Sequence, residues 1–201
     1  MKIINLKIND AISNKHLIKL NLGAGNDSVD GYYNVDLIEL PGTDIMADLN
    51  KPLEILPDNS VESIVSRGSF EHIRNFVGLM VEIHRICVNN ADIKTVVPHF
   101  SNPYYYSDPT HVQPFGLYTM HYFMDESLQR GRKVPSYYTS VRFKVEKIHI
   151  QFYREKLIDK FLEPIVSRLV NINIHTQDIY ERRFCYLYPA WQIKYDMKVC
   201  K

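Results

Sequence analysis

The stretch Leu20-Asn21-Leu22-Gly23-Ala24-Gly25 is an apolar run that ends in two glycines, and acidic residues follow it at intervals. Asp36 closes Asn34-Val35-Asp36, and Asp48 stands between Ala47 and Leu49. A glycine turn after a strand lets backbone N–H groups approach a ligand closely. Carboxylates at the ends of the following strands can accept hydrogen bonds from that ligand. This layout predicts an α/β sheet with a ligand site at the ends of its strands.

The composition limits the class of protein. The 201 residues, 45% hydrophobic and 12% aromatic, suit one domain over residues 1–201. Because 24 basic and 23 acidic residues leave a net charge of +1, nucleic acid is not expected as the main partner. Three widely spaced cysteines (Cys87, Cys185 and Cys200) favour a reducing compartment. Without a recognisable signal peptide or membrane span, we expect a cytoplasmic protein.

Apolar runs alternate with turns in the first half of the chain. They predict strands over residues 16–22, 32–36, 43–47, 61–66 and 93–97. Apolar residues from Phe70 to Cys87 recur at steps of three and four, which predicts an amphipathic helix that Asn89-Asn90 closes. Strands that alternate with helices or short connections are typical of a parallel sheet.

A long irregular segment opens the second half. Pro98–Tyr138 holds five of the ten prolines and seven of the fourteen tyrosines, so we interpret residues 97–139 as an insertion that forms a lid over the substrate. Strands are predicted over Arg142–Phe152 and Tyr186–Val199, with a helix between them that Pro164 kinks or divides. We therefore expect a Rossmann-like, mostly parallel seven-stranded sheet with an antiparallel C-terminal edge strand.

The glycine turn differs from the fingerprint of dinucleotide-binding folds. Gly23-Ala24-Gly25 lacks the third glycine of that fingerprint, since Asn26-Asp27-Ser28 follows it. Asp36 comes 11 residues after Gly25, whereas the ribose-binding acid of a dinucleotide fold comes about 20 residues after its motif. A nicotinamide-dependent oxidoreductase is therefore disfavoured, and another adenosine-containing cofactor is expected.

Several short motifs follow the glycine turn in order within residues 18–125. They are Asn34-Val35-Asp36, Asp48-Leu49, Pro57–Glu62, Phe70-Glu71-His72-Ile73 and Glu82–Ile86. In these motifs the chain resembles the class I S-adenosylmethionine-dependent methyltransferases, and in particular small bacterial members often associated with surface-polysaccharide synthesis. It departs from the family at Asn89-Asn90-Ala91, where a Pro-Gly-Gly turn is usual, and at Ser66-Arg67-Gly68-Ser69.

The resemblance implies how matching positions would bind S-adenosylmethionine. The turn Gly23-Ala24-Gly25 would pass under the methionine part of the cofactor. Asp36, followed by Leu37, would bind the ribose hydroxyls. Asp48 would accept a hydrogen bond from the adenine amino group, with the Leu49 backbone beside the ring. Arg67 and Gly68 would line the methionine end.

Simpler roles stand beside these. A lone Asp36 or Asp48 could be a helix cap or a turn residue, although the ordered motifs favour cofactor binding. Glu71, with His72 next to it, could touch the cofactor, or Glu71 could stabilise a helix N-terminus from its first turn.

The acceptor side is predicted to lie after the fifth strand. There, His99 or His111 is a candidate general base, and Asp108 could orient a histidine. The alternative is that these groups only hold a proline-rich loop together. A metal held by His99, Asp108 and His111 lacks a clear ligand pattern, so no metal site is predicted. Tyr104-Tyr105-Tyr106 could stack on a sugar or aromatic acceptor, or pack the lid.

The sequence therefore predicts methyl transfer from S-adenosylmethionine to a small-molecule or glycan-linked acceptor, at oxygen, in capsule or cell-surface polysaccharide synthesis. The alternative is a non-catalytic, methyltransferase-like subunit of a protein complex that binds the cofactor.

Overall fold

Eight strands form one mixed sheet in the computed structural model, which describes residues 1–201. The strands are β1 (Lys2–Ile3), β2 (Ile18–Leu22), β3 (Tyr33–Asp36), β4 (Ile45–Met46), β5 (Val61–Arg67), β6 (Cys87–Pro98), β7 (Arg142–Phe152) and β8 (Ala190–Cys200). Their order across the sheet is β1-β4-β3-β2-β5-β6-β8-β7. The helices are α1 (Lys7–Ser13), α2 (Phe76–Ile86), α3 (Leu157–Val170) and α4 (Ile174–Arg183).

The predicted fold class is confirmed. Strands β4, β3, β2, β5 and β6 are parallel to one another, and β1 and β8 run antiparallel to their neighbours. The sheet has an eighth strand because the short β1 pairs with β4. The C-terminal strand β8 lies between β6 and β7 rather than at the edge. Both of its neighbours are at least as long as β8, so its backbone groups are paired on both sides.

Helix α2 begins later than the apolar pattern predicts. Phe70–His72 forms a separate 3₁₀ turn, and the helix starts at Phe76, where the side chain of Asn75 accepts a hydrogen bond from the Gly78 N–H. Glu71 therefore lies outside the helix, and it does not stabilise the first turn of α2. The predicted closing pair Asn89-Asn90 lies inside β6, near a register shift against β5.

Arg85 on α2 connects two of the sequence motifs, Pro57–Glu62 and Glu82–Ile86. Its guanidinium donates to the carbonyls of Leu53 and Leu56 and to the Asp58 carboxylate. Glu82, one turn earlier, pairs with Arg85 at 2.9 Å and accepts from the Leu53 N–H at 2.8 Å. These contacts fasten the loop before β5 to α2.

The segment after β6 packs partly into the core. It contains 3₁₀ turns over Pro103–Ser107 and Thr119–Phe123. The rings of Phe115 and Phe123 meet the Phe76 ring edge-on, with centroids 5.2 and 5.7 Å apart. This end of the segment is therefore fixed against α2.

Helix α3 runs through Pro164 without dividing into two helices. Its apolar stripe faces outward: Leu157, Ile158, Phe161, Leu162, Ile165 and Leu169 are 42–73% exposed. None of the helices is long and apolar enough to span a membrane.

Candidate functional site

The parallel strands bring the predicted cofactor residues to one edge of the sheet. The glycine turn follows the last residue of β2, Asp36 ends β3, and Asp48 comes two residues after β4. Arg67 ends β5 in the same direction. Since the carboxyl ends of parallel strands lie together, these residues share the edge at which open α/β sheets bind ligands.

The two glycines of the turn differ in what surrounds them. Both adopt positive φ, +66° at Gly23 and +52° at Gly25. A Cβ on Gly23 would overlap the Ser69 side chain, whereas a Cβ on Gly25 would meet no atom within 4 Å. Gly23 is therefore required by packing, and the backbone at Gly25 borders open space.

Asp36 is joined to this turn. Its Oδ2 accepts from the Gly25 N–H at 2.8 Å, and its Oδ1 accepts from the Ile38 N–H at 3.3 Å. Each carboxylate oxygen keeps acceptor capacity for a ligand hydroxyl. Leu37 is exposed beside it, and Ala24 is buried behind the turn.

Asp48 is held in its ionised form by its neighbours. The backbone N–H of Asn50, 3.0 Å from Oδ1, is the main cause that lowers the pKa of Asp48. Asn50 also accepts from the backbone N–H groups of Arg74 and Asn75, which ties this loop to the start of α2. Leu49, which lies between Asp48 and Asn50 in the sequence, is buried. The sequence reasoning missed Asn50, although an amide two residues after an acid is a turn signal.

Arg67 and Gly68 lie next to the glycine turn. The hydroxyl of Ser69 donates to the Leu22 carbonyl, so the loop after β5 is bonded to the end of β2. Arg67 is exposed, and Gly68 has a positive φ of +61°. A Cβ on Gly68 would lie 3.6 Å from Glu71 Oε1. The loop therefore leads directly from the predicted cofactor residues to Glu71.

The structure separates His99 from the other candidate catalytic residues. The His99 ring is fully buried; its Nδ1 lies 2.8 Å from Ser101 Oγ and its Nε2 lies 3.0 Å from Glu181 Oε1. The same Glu181 oxygen accepts from the Leu117 N–H at 2.6 Å. Both ring nitrogens are thus occupied by partners that connect β6 to α4 and to the segment after β6.

Asp108 and His111 come together with two residues from the turn after β5. Asp108 Oδ2 lies 3.6 Å from His111 Nε2, and the His72 and His111 rings are 4.8 Å apart. Thr110 connects them, because its hydroxyl lies 2.9 Å from His72 Nδ1 and donates to Asp108 Oδ1 at 2.6 Å. This bond and the Thr110 N–H hold the pKa of Asp108 below its usual value.

Glu71 is the buried member of this group. Its side chain is 2% exposed and its Oε2 has no hydrogen-bond partner. Burial, with a smaller contribution from the Asp108 charge, raises the pKa of Glu71 to about 7. Its backbone carbonyl accepts from the N–H groups of Val112 and Gln113, which fixes the His111 loop over it.

The three consecutive tyrosines differ in burial. Tyr105 is buried and stacks on the His111 ring, with centroids 4.8 Å apart. Tyr104 and Tyr106 are 65% and 68% exposed. The middle ring therefore packs the site, and the outer two offer faces to a ligand.

Solved structures of S-adenosylmethionine-dependent methyltransferases share the fold of this chain. One structure with this fold is such an enzyme from Archaeoglobus fulgidus, 13% identical, with a TM-score of 0.52 over 96% of this chain and 91% of the other. A proposed methyltransferase from Bacillus halodurans is 12% identical, with a TM-score of 0.50 over 96% of both chains. The complex between a methyltransferase activator and a proposed methyltransferase from Haloferax volcanii matches at 10% identity and a TM-score of 0.53, over 96% and 88%. No protein-family model and no curated protein matches the chain.

Proposed function

We propose that this protein is a methyltransferase that binds S-adenosylmethionine across the carboxyl ends of β2 to β5. The observation that carries the proposal is the bond between the glycine turn and Asp36, with Asp48 after the next strand. A backbone that borders open space at Gly25 admits a ligand, and two carboxylates at adjacent strand ends suit a ribose and an adenine amino group. Leu37, Leu49, Arg67 and Gly68 complete this proposed cofactor site.

The methyl acceptor in this proposal binds beside Glu71, His72, Asp108 and His111. Transfer from a sulfonium is an in-line displacement, so the acceptor must be aligned with the methyl group, and a hydroxyl acceptor must also lose its proton. His111 and Asp108 remain candidates for that proton transfer. His99, with both ring nitrogens occupied inside the core, is assigned a scaffold role instead.

A glycan-linked or small-molecule acceptor that reacts at oxygen fits the surface next to this group. The exposed rings of Tyr104 and Tyr106 stand one turn before Asp108, and aromatic faces stack on sugar rings. Synthesis of a capsule or cell-surface polysaccharide is the proposed setting. A cytoplasmic location is part of the proposal, since all three cysteines are free thiols.

Calorimetry with S-adenosylmethionine and S-adenosylhomocysteine tests the cofactor site. Asp36→Ala and Asp48→Ala are each expected to weaken binding by about 10-fold or more, because each removes a bonded acceptor worth about 1.5–3 kcal/mol. Asp92→Ala is the matched control, because Asp92 is an exposed acid near the other end of the sheet. Parent protein that binds neither compound contradicts the proposal.

A second candidate function is the cofactor-binding, non-catalytic subunit of a complex. The outward apolar stripe of α3 favours it, because such a surface commonly meets a partner. Release of S-adenosylhomocysteine from S-adenosylmethionine in the presence of glycan acceptors, with the isolated chain, supports the enzyme over this subunit.

A further inference from the structure

Glu71, His72 and His111 bring one ligand-type atom each into a small group. One carboxylate oxygen and one ring nitrogen from each histidine all lie within 4.8 Å of one another. The three residues come from two loops, the turn after β5 and the segment after β6. The backbone bonds from Val112 and Gln113 to the Glu71 carbonyl hold the two loops in this arrangement.

The hydrogen bonds of His111 leave its Nε2 with a free lone pair. Its Nδ1 lies 2.9 Å from the Tyr105 carbonyl, which can only accept, so Nδ1 carries the proton. The neutral ring then presents Nε2 unprotonated. Asp108 Oδ2, at 3.6 Å from this atom, is too far to hold it by a hydrogen bond.

His72 is oriented in the same way through Thr110. The Thr110 hydroxyl gives its one hydrogen to the Asp108 carboxylate, so its oxygen accepts from the Nδ1–H of His72. The Nε2 of His72 is therefore also a lone-pair atom. A histidine whose second nitrogen donates to a carbonyl, or toward a carboxylate, has the outer-shell partner that metal-bound histidines usually have.

The buried carboxylate supplies an independent indication of a ligand. Glu71 is 2% exposed, yet its Oε2 has no partner. An isolated buried carboxylate is costly unless a counter-charge or hydrogen bonds compensate it, and such orphaned groups often mark an ion. The two histidines facing it provide lone pairs rather than hydrogen-bond donors, so they do not compensate it.

We propose that Glu71, His72 and His111 form a binding site for a divalent first-row transition-metal ion such as Zn²⁺. Two imidazoles and one carboxylate suit this class of ion, whereas Mg²⁺ prefers oxygen ligands alone. A tetrahedral ion with bonds of about 2.0–2.1 Å holds its ligand atoms about 3.3 Å apart, so the group closes by about 1.5 Å at most. Three protein ligands leave a fourth position open, as in catalytic metal sites.

The consequence for chemistry rests on the proposed function. An ion at this position would bind the acceptor oxygen and lower the pKa of its hydroxyl, so that the hydroxyl proton passes to solvent water. The oxygen would then bond to the methyl carbon as the carbon–sulfur bond of the sulfonium breaks, and S-adenosylhomocysteine would leave. His111 is then a metal ligand rather than the general base. Thr110 and Asp108 are positioning residues, since they act through His72.

Zinc binding by the full-length chain, prepared without a polyhistidine tag and stripped with chelator, tests the site. Equilibrium dialysis is expected to find one Zn²⁺ per chain, and Co²⁺ should give the visible absorption of a low-coordinate site. His111→Ala and the nearly isosteric Glu71→Gln are each expected to weaken Zn²⁺ binding more than about 100-fold. Thr110→Val should weaken it about 10–100-fold, with recovery in Thr110→Ser.

His175→Ala is the matched control, because His175 is an exposed histidine on α4. Less than one Zn²⁺ per chain, or equal losses in this control and in Glu71→Gln, overturns the proposal. Circular dichroism of the metal-free variants confirms that they are folded. S-adenosylmethionine binding is measured on the metal-free parent: stoichiometric zinc without cofactor binding refutes the proposed function and leaves the metal site standing.

Discussion

Two histidine–carboxylate groups of this protein contrast in how far their polar atoms are satisfied. In the His99–Glu181 group, both ring nitrogens and one carboxylate oxygen have partners at 2.6–3.0 Å. In the group around Glu71, both histidines are oriented by outer partners while the buried Oε2 has none. A closed network stabilises the fold, and an open one at the ligand edge of the sheet is available for binding.

The largest stability effect is expected where the closed group is broken. Glu181→Ala leaves His99 Nε2 and the Leu117 N–H buried without a partner, so the free energy of unfolding should fall by about 2–5 kcal/mol. Urea unfolding measures this loss. Asp178→Ala on the same helix is the control, because Asp178 is more exposed and bonds only Tyr118 and Arg182. A loss in Glu181→Ala no larger than in this control would mean that the network is not a structural one.

The second-largest effect on stability is expected at a third carboxylate, Glu82. Its hydrogen-bond network is also closed, but it lies nearer the surface. Glu82 accepts from Arg85 and from the Leu53 N–H, and the Arg85 bond is the main cause that lowers the pKa of Glu82. Glu82→Gln should therefore reduce the free energy of unfolding by about 1–2 kcal/mol at pH 7.

The difference in the free energy of unfolding between the parent and Glu82→Gln should shrink as the pH falls. A carboxyl whose pKa is lower in the folded state contributes its stability above the unfolded pKa of about 4.3, and the contribution is lost as pH falls through the folded value. The unfolding curves of the parent and Glu82→Gln should thus converge in acid. Asp58→Asn, which removes only the exposed partner of Arg85, should change the curve less.

The residues at the carboxyl ends of the parallel strands could be predicted, because strand ends depend on local signals. Apolar runs stop at Gly23 and Asp36, and the glycine turn and acids mark strand ends in any parallel sheet. The stripe on α3 predicted a helix correctly, but periodicity does not say what the stripe packs against, and here it faces outward. The position of β8 depends on pairing between distant strands, which no local pattern encodes.

The difference between the two histidine groups could not be predicted for the same reason. His99 and His111 both follow the fifth predicted strand among polar residues. The partner that closes the His99 group, Glu181, lies 82 residues away in a helix that the sequence reasoning did not resolve. Glu71 looked like a helix-capping acid because the pattern placed the helix six residues too early.

The smallest stability effect is expected at Glu71, and it separates the two groups most directly. Because Oε2 has no hydrogen bond to lose, Glu71→Gln should keep the free energy of unfolding of the metal-free protein within about 1 kcal/mol of the parent. Zn²⁺ at 100 times its dissociation constant should raise the stability of the parent by about 2.7 kcal/mol and leave this variant nearly unchanged, because only the native parent binds the ion. Thermal unfolding with and without Zn²⁺ measures both. If Glu71→Gln instead destabilises the metal-free protein as much as Glu181→Ala does, Glu71 belongs to a closed structural network and the contrast between the two groups fails.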